Sequence, residues 1–454
     1  MRLHALGIDI GTTSLSLVLV DEATGIVLDS LTVDHGAFVD DGCPAGRTQD
    51  PERILALTLD GVGALIARHG QPSCIGLTGQ MHGMLYVDAR GEAVGTLYTW
   101  QDGRGDLPLA DGRSAAQALR SEGLASAAGF GLTTHYCFLK SGRVPKDAVR
   151  MTTVSDYLGM KLTGRTVPVL SAEMAASWGA FDLQKRAFEA DALEKLGVDP
   201  RLLPGVVPGY AVIGETPAGV PVITALGDNQ ASVIGSVRDV EDTVLINIGT
   251  GSQVSFGTRA FIPCGGDIEL RPCTGDGYLC VGSGLCGGRA YAMLERFYRE
   301  IAGTDAPVYD QMQASARAFV AQRGWEAAWR VRTTFSGTRS HPDERGGVAG
   351  IGVENFAPGA FTAGVIAGIL EELRGEYARM TDLTGRKASR LVGSGNGLRR
   401  NPLMRQAAGR LFGMALEIPA HREEAAYGAA LAAMAETGRK KSLREAQEMI
   451  AYEA

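Results

Sequence analysis

Hydrophobic residues open the chain in two short runs that a polar turn separates. The segments ALGIDI (residues 5–10) and SLSLVLVD (residues 14–21) have the length and composition of strands, and Gly11-Thr12-Thr13 between them has the composition of a tight turn. The arrangement returns at TVLINIGTGSQVS (residues 243–255), where Gly249-Thr250-Gly251-Ser252 separates two apolar runs. The pattern predicts two halves of the chain, each beginning with a β-hairpin that carries a hydroxyl-rich turn.

Strand-length apolar runs alternate with helical periodicity along the rest of the chain. Strands are predicted at SCIGLTGQ (residues 73–80), within YVDARGEAVGTLYTW (residues 86–100) and at PVITALG (residues 221–227), which leads into a helix of small residues from Asp228. Apolar residues at i, i+3 and i+4 predict amphipathic helices at GGRAYAMLERFYREI (residues 287–301) and FTAGVIAGILEELRGEYARM (residues 361–380). This alternation is typical of the α/β class.

A chain of 454 residues is longer than one hydrophobic core usually supports, so we expect two domains. The polar stretch at residues 235–242, just before the second hairpin, is the predicted boundary. It gives one domain at residues 1–238 and another at residues 239–454. In a two-domain α/β protein, the cleft between the domains is the expected ligand site.

The composition restricts the class of partner. The 44 Lys and Arg residues stand against 51 Asp and Glu residues, and the net charge of -7 disfavours nucleic acid and anionic membranes. The chain has no apolar run long enough for a membrane span and no signal-peptide segment ahead of the first strand, and its seven cysteines show no C-x-x-C spacing. We therefore expect small-molecule ligands and a reducing, cytoplasmic location. The sequence leaves open whether the chain forms a homodimer.

Asp9 lies inside the first apolar strand, where a carboxylate needs a partner because burying an unpaired charge is costly. A magnesium ion is the natural candidate. The following turn offers backbone N–H groups and the hydroxyls of Thr12, Thr13 and Ser14, which can bind phosphate oxygens as an anion nest does. Taken alone, this short motif is equally compatible with an ordinary hairpin. The second turn at residues 249–252 favours the phosphate interpretation, because two such turns can hold a triphosphate from both sides.

Other glycine-rich segments bear on nucleotide binding. Val392-Gly393-Ser394-Gly395-Asn396-Gly397 precedes the predicted helix PLMRQAAGRLFG (residues 402–413) and either lets a flat nucleoside approach the backbone or is a strand-to-helix turn. Residues 282–287 match G-x-G-x-x-G, but Asp305, the acidic residue at the distance expected of a dinucleotide site, lies in a turn-like segment. The chain contains no Gly-Lys dipeptide and no H-R-D segment, which excludes a Walker-type P-loop and disfavours a protein kinase.

Three further segments contain candidate residues for binding or deprotonating the molecule that receives the phosphate. Asp228, at the strand-to-helix junction LGDNQAS, has a simple interpretation as a helix N-cap. A carboxylate at the carboxyl end of a strand can instead accept a proton from a sugar hydroxyl. His82 is by composition alone more often a core histidine than a ligand. Trp100, however, stands among the amide, acidic and guanidinium groups of residues 99–104, a combination that is typical of a sugar site.

Together these segments resemble the FGGY family of carbohydrate kinases over nearly the whole chain. The segments that resemble the family's first phosphate loop, sugar-contacting loop, catalytic-base segment, second phosphate loop, adenosine segment and closing helix are, in chain order, GIDIGTTS, LTGQMHG, LGDNQAS, NIGTGS, GSGNGLRRNPLMRQ and EEAAYGAALAA. The resemblance implies a two-domain, actin-like ATPase fold of the ribonuclease H-like kind, with an interdomain cleft.

The resemblance also implies roles for individual residues. Asp228 becomes the catalytic base, and Asp9 helps to hold magnesium. The acceptor site is expected to contain Gln80, Met81, His82, Trp100, Asp102, Asp228 and Asn229. ATP is expected to contact Thr12, Thr13, Ser14, Gly249, Thr250, Gly251, Gly287, Gly395 and Asn396. The register of the nucleoside contacts near residues 399–401 stays open.

Within the family, the similarity is greatest to the sedoheptulokinase group, with the xylulokinases as near neighbours. It is carried by TWQDGR, AAGFG, SDY, AASWGAF and ALGDNQASV. The implied reaction is transfer of the ATP γ-phosphoryl group to the terminal hydroxyl of a ketose, with ATP and Mg²⁺ as cofactors. Two alternatives are an actin-like ATPase without a sugar substrate and a sugar-binding regulator without turnover.

Overall fold

A computed structural model describes residues 3–273 and 275–453 of the chain. Internal contacts divide the chain into two compact units. The first unit contains the residues up to Arg238, together with Arg271–Gly277 and His421–Ala451. The second unit contains Asp239–Leu270, Tyr278–Ala420 and the residues after Ala451. Two stretches of the first unit therefore come from beyond residue 238, in the part of the chain for which the sequence suggested a second domain.

The strands are numbered along the chain. They are β1 (His4–Ile10), β2 (Ser14–Asp21), β3 (Val27–Asp34), β4 (Phe38–Val39), β5 (Thr48–Gln49), β6 (Cys74–Gly79), β7 (Met84–Val87), β8 (Ala93–Tyr98), β9 (Arg150–Thr152), β10 (Val169–Ser171), β11 (Phe181–Asp182), β12 (Ala187–Phe188), β13 (Gly205–Val207), β14 (Val212–Glu215), β15 (Pro221–Ile223), β16 (Leu226–Gly227), β17 (Thr243–Ile248), β18 (Ser252–Thr258), β19 (Ile268–Pro272), β20 (Tyr278–Gly284), β21 (Arg330–Arg332), β22 (Gly347–Ala349), β23 (Arg390–Ser394) and β24 (Leu416–Glu417).

The α-helices are numbered in the same way. They are α1 (Pro51–His69), α2 (Ala115–Ser121), α3 (Gly131–Lys140), α4 (Val154–Thr163), α5 (Ala172–Ala176), α6 (Ala190–Lys195), α7 (Asp228–Ser236), α8 (Gly287–Ala302), α9 (Tyr309–Arg323), α10 (Pro358–Thr384), α11 (Asn396–Arg400), α12 (Pro402–Phe412), α13 (Glu424–Glu436) and α14 (Leu443–Gln447). Single 3₁₀ turns occur at Arg104–Asp106, Pro200–Leu202, Trp325–Ala327 and Val353–Asn355.

The central sheet of the first unit has seven strands in the order β14-β15-β6-β1-β2-β3, with β16 paired to β6. The predicted hairpin is confirmed, since β1 and β2 are antiparallel and Asp9 lies opposite Ser16. On the other side of β1, β6 runs parallel and places Thr78 beside Asp9. In turn, β16 runs parallel to β6 and places Leu226 beside Thr78. The carboxyl ends of β1, β6 and β16 therefore meet at one edge of the sheet.

Two predicted strand segments are divided in the structure. The segment at residues 86–100 contains the end of β7 and the whole of β8, an antiparallel pair joined by a turn in which Gly91 donates its N–H to the carbonyl of Asp88. This pair belongs to a separate sheet with the order β4-β5-β8-β7-β9. The segment at residues 221–227 is divided into β15 and β16, which both pair with β6. The helix predicted to begin at Asp228 is confirmed as α7.

The second unit is built on a six-stranded sheet in the order β19-β20-β18-β17-β23-β24. The second predicted hairpin is confirmed as the antiparallel pair β17 and β18, with Asn247 opposite Gln253. On its other side β17 has a parallel neighbour, β23, in which Ser394 lies beside Asn247. The predicted amphipathic helices are present as α8 and α10, and the glycine-rich segment after β23 leads into α11 and α12.

Glycines let α13 lie directly against the backbone of the first sheet. A Cβ atom at Gly7 on β1 would be 1.8 Å from the carbonyl oxygen of Ala426, and one at Gly76 on β6 would be 1.9 Å from that of Ala429. Real Cβ atoms do not approach backbone atoms so closely, so only glycine fits at either position. Helix α13 thus covers β6 and β1, the strand that carries Asp9.

The two units have separate cores of aliphatic side chains from their sheets and covering helices. The mixed α/β architecture predicted from the sequence is confirmed. None of the helices formed by the described residues combines the length and the apolar character needed to cross a lipid bilayer.

Candidate active site

The edge at which β1, β6 and β16 end gathers several of the candidate residues of the first unit. The turn of residues 11–14 follows β1, the segment Gln80-Met81-His82 follows β6, and Asp228 follows β16. Ligands of open α/β sheets bind at the carboxyl ends of their parallel strands, because the loops that leave the strands converge there. The strand register thus brings together segments that are up to about 200 residues apart in the sequence.

Asp9 has the electrostatic environment of a cation ligand. Its Oδ1 atom is buried and has no hydrogen-bond partner among the described residues. Burial, followed by the negative charges of Asp228 and Glu423, raises the pKa of Asp9 to about 7. An ionised carboxylate in this position is unfavourable unless a positive charge lies beside it.

A magnesium ion fits this environment. The described residues contain no group of three or more His, Cys, Asp or Glu side chains that could hold a metal by themselves. Mg²⁺ is usually bound through one or two carboxylates, with substrate phosphates and water completing its coordination, so a single available carboxylate oxygen is sufficient. When bound, the ion neutralises charge on the phosphates of ATP. Asp9 is the residue that would hold it here.

Two buried side chains, Gln49 and His35, hold the first hydroxyl-rich turn through hydrogen bonds to its carbonyl groups. Within the turn, Gly11 donates its N–H to the carbonyl of Ser14 at 2.9 Å. Gln49 donates from Nε2 to the carbonyl of Thr12 at 2.6 Å. His35 accepts the N–H of Ala37 at Nδ1, so its Nε2 carries the proton and donates to the carbonyl of Gly11 at 3.3 Å. Burial lowers the pKa of His35, which keeps the ring neutral in this arrangement.

These hydrogen bonds occupy the carbonyl groups of Gly11 and Thr12, and the hydroxyl side chains of the turn stay at least partly accessible. Thr13 is exposed, and Thr12 and Ser14 are half-buried. The indole N–H of Trp100 donates to the hydroxyl of Thr12 at 2.9 Å. This contact joins the predicted phosphate turn to the predicted sugar segment.

The segment after β6 is fixed in a strained conformation at His82. This residue has φ of 72°, a value that is uncommon for a residue other than glycine. Its N–H donates to the Ser177 hydroxyl at 2.9 Å, and its Nδ1 lies 2.6 Å from the Ser177 carbonyl, which can only accept. In the neutral ring Nε2 is therefore the acceptor. The ring is stacked on Phe130 with a centroid separation of 4.6 Å.

Protein contacts also fix Met81 and Gln80, the two residues that precede His82. A Cβ atom at Gly227 would be 2.7 Å from Cε of Met81, so the glycine lets Met81 lie against the start of α7. Gln80 donates from Nε2 to Oε1 of Gln49 at 2.9 Å, which links the sugar segment to the support of the first turn.

Asp228 is the first residue of α7, and Gly227 occupies the N-cap position. The structural alternative, an N-cap role for Asp228, therefore does not apply. The side chain of Asp228 is exposed, and its Oδ1 accepts the N–H of Asn229 at 2.6 Å. Desolvation by surrounding protein atoms raises the pKa of Asp228, while the positive charge of Arg271 and the Asn229 N–H oppose this shift. The carboxylate is thus accessible and close to the other candidates of this edge.

Trp100 and Asp102 differ in what they offer a ligand. Trp100 is 47% exposed, and its backbone packs against Gly129, where a Cβ atom would lie 1.8 Å from the Trp100 carbonyl oxygen. The side chain of Asp102 is fully buried, and its oxygens accept hydrogen bonds from the backbone of Arg47 and from Arg104 at 2.6–3.1 Å. Arg104 also pairs with Asp41 at 2.6 Å. Asp102 thus anchors the segment that carries Trp100.

A cavity of about 730 Å³ lies in the second unit beside the second hydroxyl-rich turn. Its lining combines two tyrosines, whose ring centroids are 5.9 Å apart, with glycines, two arginines and amide side chains. The lining residues are Gly249, Thr250, Gly288, Arg289, Tyr291, Ala292, Tyr309, Asp310, Gln313, Asn396, Gly397, Arg400, Asn401 and Met404. Aromatic faces suit a flat base and guanidinium groups suit phosphate oxygens, so the lining fits a nucleotide.

Three predicted nucleotide residues line this cavity, and three others shape its surroundings. Gly249, Thr250 and Asn396 are in the lining. Gly287 lies against the second turn, where a Cβ atom would be 2.6 Å from the backbone of Gly251. Gly395 has φ of 85°, and a Cβ atom there would be 2.6 Å from the carbonyl oxygen of Ile248. Glycine at positions 287 and 395 therefore permits close packing around the turn.

The sequence did not indicate several residues that lie around the candidate sites. Gln49 and His35 support the first turn, but they lie in segments that contain no recognisable motif. Ser177 and Phe130 lie in AASWGAF and AAGFG, which carried the family resemblance, but nothing in those motifs shows that both face His82. The tyrosines of the cavity in the second unit, Tyr291 and Tyr309, lie on α8 and α9, and no motif marks them. Only the tertiary structure brings these side chains to the sites.

Models of one protein family match both parts of the chain. The N-terminal domain of the FGGY family of carbohydrate kinases matches residues 4–235, and the C-terminal domain of the same family matches residues 269–437. The chain belongs to the FGGY family of carbohydrate kinases.

Individual relatives extend this result. The mouse sedoheptulokinase (Mus musculus) is 31% identical over 94% of this chain and 96% of its own length. A xylulose kinase from Streptomyces rubiginosus is 29% identical over 55% of this chain and 53% of its own length. The crystal structure of a gluconate kinase from Lactobacillus acidophilus aligns with a TM-score of 0.85 over 100% of this chain and 93% of its own, at 18% identity. That likeness concerns the fold, which is the actin-like two-domain fold expected from the sequence.

The family membership identifies the chain as a carbohydrate kinase. Enzymes of this family use ATP with Mg²⁺, and their other substrate is a sugar. The alternatives of an ATPase without a sugar substrate and of a silent regulator are therefore disfavoured.

Proposed function

We propose that this kinase transfers the γ-phosphoryl group of ATP to the terminal hydroxyl of a ketose, with sedoheptulose as the favoured substrate. D-xylulose is the second candidate. The sedoheptulose assignment is supported by the extent of similarity to mouse sedoheptulokinase, which spans nearly the full length of both chains. The similarity to the xylulose kinase covers about half of each chain.

The observation that carries the proposed chemistry is the shared edge of β1, β6 and β16. It provides an accessible carboxylate at Asp228, which follows β16, and on β1, at the other side of β6, a buried carboxylate oxygen at Asp9 that has no hydrogen-bond partner among the described residues. Phosphoryl transfer needs mainly alignment of the reacting groups and neutralisation of charge. Asp228 would supply the base and Asp9 the cation ligand, so this edge contains both carboxylates that the proposed reaction needs.

Asp228 is the proposed base. Its position at the first residue of α7 lies in the positive field of the helix N-terminus, and Arg271 adds a second positive influence. Both favour the ionised form that can accept a proton from the sugar hydroxyl. Asp9 is the proposed magnesium ligand, and the turn of residues 11–14 is the proposed phosphate site of the first unit.

The acceptor site is proposed to use Nε2 of His82, the side chain of Met81, the exposed ring of Trp100 and the amide of Asn229. Nε2 of His82 is an acceptor in the neutral ring, while the amide of Asn229 contains a donor group and an oxygen that accepts from Arg271. The indole covers apolar C–H groups of a sugar. Gln80 and Asp102 would act by holding these side chains in place. The nucleoside is proposed to bind in the cavity of the second unit.

A coupled ADP-release assay over sedoheptulose, D-xylulose, ribulose, fructose and glycerol tests the substrate. We expect the highest kcat/KM with sedoheptulose, because similarity to that enzyme group is the most extensive. Higher kcat/KM with xylulose would shift the assignment to the second candidate. A preference for glycerol would contradict the ketose assignment as a whole.

The variant Asp228→Asn tests the base in the same assay. General base catalysis typically contributes about 10²–10⁴-fold, so we expect kcat to fall by that range while the protein stays folded. Asp199→Asn is a matched control, because Asp199 is part of an exposed ion pair with Arg201. Turnover of Asp228→Asn at the wild-type rate would exclude Asp228 as the base.

A further inference from the structure

Three successive carbonyl groups of the first hydroxyl-rich turn are hydrogen-bonded to buried residues. His35 donates from Nε2 to the carbonyl of Gly11 at 3.3 Å. Gln49 donates from Nε2 to the carbonyl of Thr12 at 2.6 Å. The backbone N–H of His35 donates to the carbonyl of Thr13 at 3.1 Å. Both His35 and Gln49 are buried, so the protein interior holds the carbonyl side of the turn.

This arrangement fixes the direction of the N–H groups of the turn. In a planar trans peptide, the C=O and N–H bonds point in opposite directions, and the described chain contains no cis peptide bond. Holding the carbonyls of Gly11 and Thr12 against the interior therefore directs the N–H groups of Thr12 and Thr13 away from it. Neither N–H group has a hydrogen-bond partner among the described residues. Successive N–H groups that face one way form an anion nest.

The carbonyl of Thr12 determines the orientation of two buried amides in series. A carbonyl oxygen only accepts hydrogen bonds, so Gln49 has to present its NH₂ group to Thr12. Oε1 of Gln49 then faces Gln80, which donates to it from Nε2 at 2.9 Å. Both glutamines are buried, where a lost hydrogen bond is costly. The amide of Gln49 therefore has one favourable orientation, with its donor on the turn.

We propose that Gln49 is a positioning residue of the phosphate site, which holds the Thr12 carbonyl inward so that the N–H group of Thr13 faces the phosphates of ATP. This inference rests on the proposed function, in which the turn of residues 11–14 binds phosphate. Without the donor of Gln49, the peptide between Thr12 and Thr13 is free to turn its carbonyl oxygen to the accessible side. An oxygen there repels phosphate oxygens, so one buried amide determines whether this peptide attracts an anion.

Binding of MgATP, measured by calorimetric titration without a sugar, tests the proposal. Gln49→Met keeps the length of the side chain and removes both amide hydrogen bonds. We expect the Kd for MgATP to rise by about 10-fold, because a donor to a charged group is no longer directed at it. The Kd for adenosine, which carries no phosphate, should change by less than about 2-fold. Gln184→Met is the matched control, since Gln184 is exposed in the turn between β11 and β12.

The variant Gln49→Glu separates the hydrogen bond from the shape of the side chain. When ionised, the carboxylate can accept from Gln80 but has no donor for Thr12. When protonated, its O–H group donates to the Thr12 carbonyl as the amide does. Burial raises the pKa of a carboxyl group, so the Kd for MgATP relative to wild type should be raised at about pH 8 and return towards one at about pH 6.

Taking the ratio to wild type at each pH removes the titrations that both proteins share, including those of Asp9, Asp228 and His35. The corresponding ratio for Gln49→Met should not depend on pH, because methionine does not titrate. A residue that only fills space would give no recovery at low pH, since the two protonation states of Gln49→Glu have the same shape.

Three results would overturn the proposal. The first is a Gln49→Met protein with the same Kd for MgATP as Gln184→Met. The second is an equal loss of adenosine binding, which would place the effect outside the phosphates. The third is a ratio for Gln49→Glu that stays constant with pH. If Gln49→Met does not fold, as judged by thermal unfolding, Gln49→Glu provides the test alone, because low pH restores both hydrogen bonds in the same protein.

Failure of this inference can be told apart from failure of the proposed function. If wild type shows no ketose-dependent ADP release, or if Asp228→Asn keeps full turnover, the proposed function fails. Unchanged MgATP binding by the Gln49 variants, in a protein that passes both of those tests, removes only the role of Gln49.

Discussion

The two hydroxyl-rich turns have similar surroundings in the backbone but differ in the polar side chain that precedes them. Each turn joins an antiparallel hairpin whose first strand has a parallel neighbour, β6 beside β1 and β23 beside β17. The residue two positions before the first glycine is Asp9 in one turn and Asn247 in the other. Nδ2 of Asn247 donates to the hydroxyl of Ser394 at 2.8 Å, whereas Oδ1 of Asp9 has no partner among the described residues.

We infer from this difference that the repeated hairpin is a scaffold and that the side chain placed on it determines the chemistry. In the second unit the position carries a neutral amide that is satisfied by a neighbouring strand. In the first unit it carries a carboxylate whose pKa is raised to about 7 by burial and by the charges of Asp228 and Glu423. A folded protein retains such a group at a cost in stability, which is the pattern expected of a functional ligand.

The variant Asp9→Asn makes the first turn resemble the second and should have the largest effect. An amide is a poor ligand for Mg²⁺ compared with a carboxylate, so we expect kcat to fall by about 10³-fold, or ~4 kcal/mol in activation free energy. Binding of the ketose, measured by calorimetric titration, should change by less than about 2-fold, because Asp9 is not part of the acceptor site.

Asp111→Asn is the matched control, since it removes an exposed carboxylate that pairs with Arg113. It should keep wild-type turnover. If Asp9→Asn also kept it, the assignment of the first turn as the metal-binding one would have to be given up.

The same comparison predicts how the stability of the metal-free protein depends on pH. The pKa of Asp9 is raised in the folded state, so the folded chain binds more protons than the unfolded chain between about pH 4 and 7. The stability that Asp9 contributes is therefore present at low pH and is lost as the pH rises through about 7. The loss is at most about 4 kcal/mol for a shift of this size.

Denaturant unfolding in EDTA at several pH values measures this loss. Asp156 is also buried with its pKa raised to about 7, so the wild type alone does not isolate Asp9. The difference in the free energy of unfolding between wild type and Asp9→Asn isolates Asp9, because Asp156 titrates in both proteins. We expect Asp9→Asn to be the more stable protein above pH 7 and the two to converge near pH 4. Parallel curves over this range would show that Asp9 does not carry the raised pKa.

The variant Gly287→Ala perturbs the second turn without changing its charge. The new Cβ atom would lie 2.6 Å from the backbone of Gly251, so the start of α8 or the turn itself has to move. Overpacking of this kind typically costs about 1–3 kcal/mol. We expect the KM for ATP to rise by about 10-fold, with the KM for the ketose nearly unchanged, because the turn lines the cavity of the second unit.

Gly375→Ala is the control for this variant. Gly375 lies within α10, where an added Cβ atom meets no atom within 4 Å. Alanine is the better helix former, so this variant should be as stable as wild type or slightly more stable. An unchanged KM for ATP in Gly287→Ala would show that the second turn does not take part in nucleotide binding.

The sequence revealed the hairpins and the candidate carboxylates because both depend on local patterns. Apolar runs around a glycine turn suffice to predict β1 and β2, and an aspartate inside such a run is conspicuous at once. The register that sets Asp9 beside Thr78, and Thr78 beside Leu226, depends on pairing between distant strands, and no local pattern contains it. Likewise, Arg271 lies at the end of β19, and its contact with Asn229 is visible only in the structure.

The local sequence also does not predict that α13 and α14 belong to the first unit. The segment EEAAYGAALAA was recognisable as a helix through its family resemblance, but its small residues alone do not say which sheet it covers. The structure shows glycines at both contacts of α13: Gly7 and Gly76 on the strands lie against its backbone, and its own Gly428 lies against α7, where a Cβ atom would be 1.9 Å from the carbonyl oxygen of Ala231. Complementary small residues on separate segments are visible as a pair only after folding.

The variant Asn247→Ala should have the smallest effect and so sets the lower end of the comparison. It removes the donor to Ser394, which costs about 1 kcal/mol of the free energy of unfolding, as a typical intramolecular hydrogen bond does. Because the amide is neutral and donates to a protein hydroxyl, kcat should change by less than about 2-fold. Denaturant unfolding and the ADP-release assay measure both. A loss of turnover near that of Asp9→Asn would mean that the two turns share the metal chemistry, and the division of roles between them would be wrong.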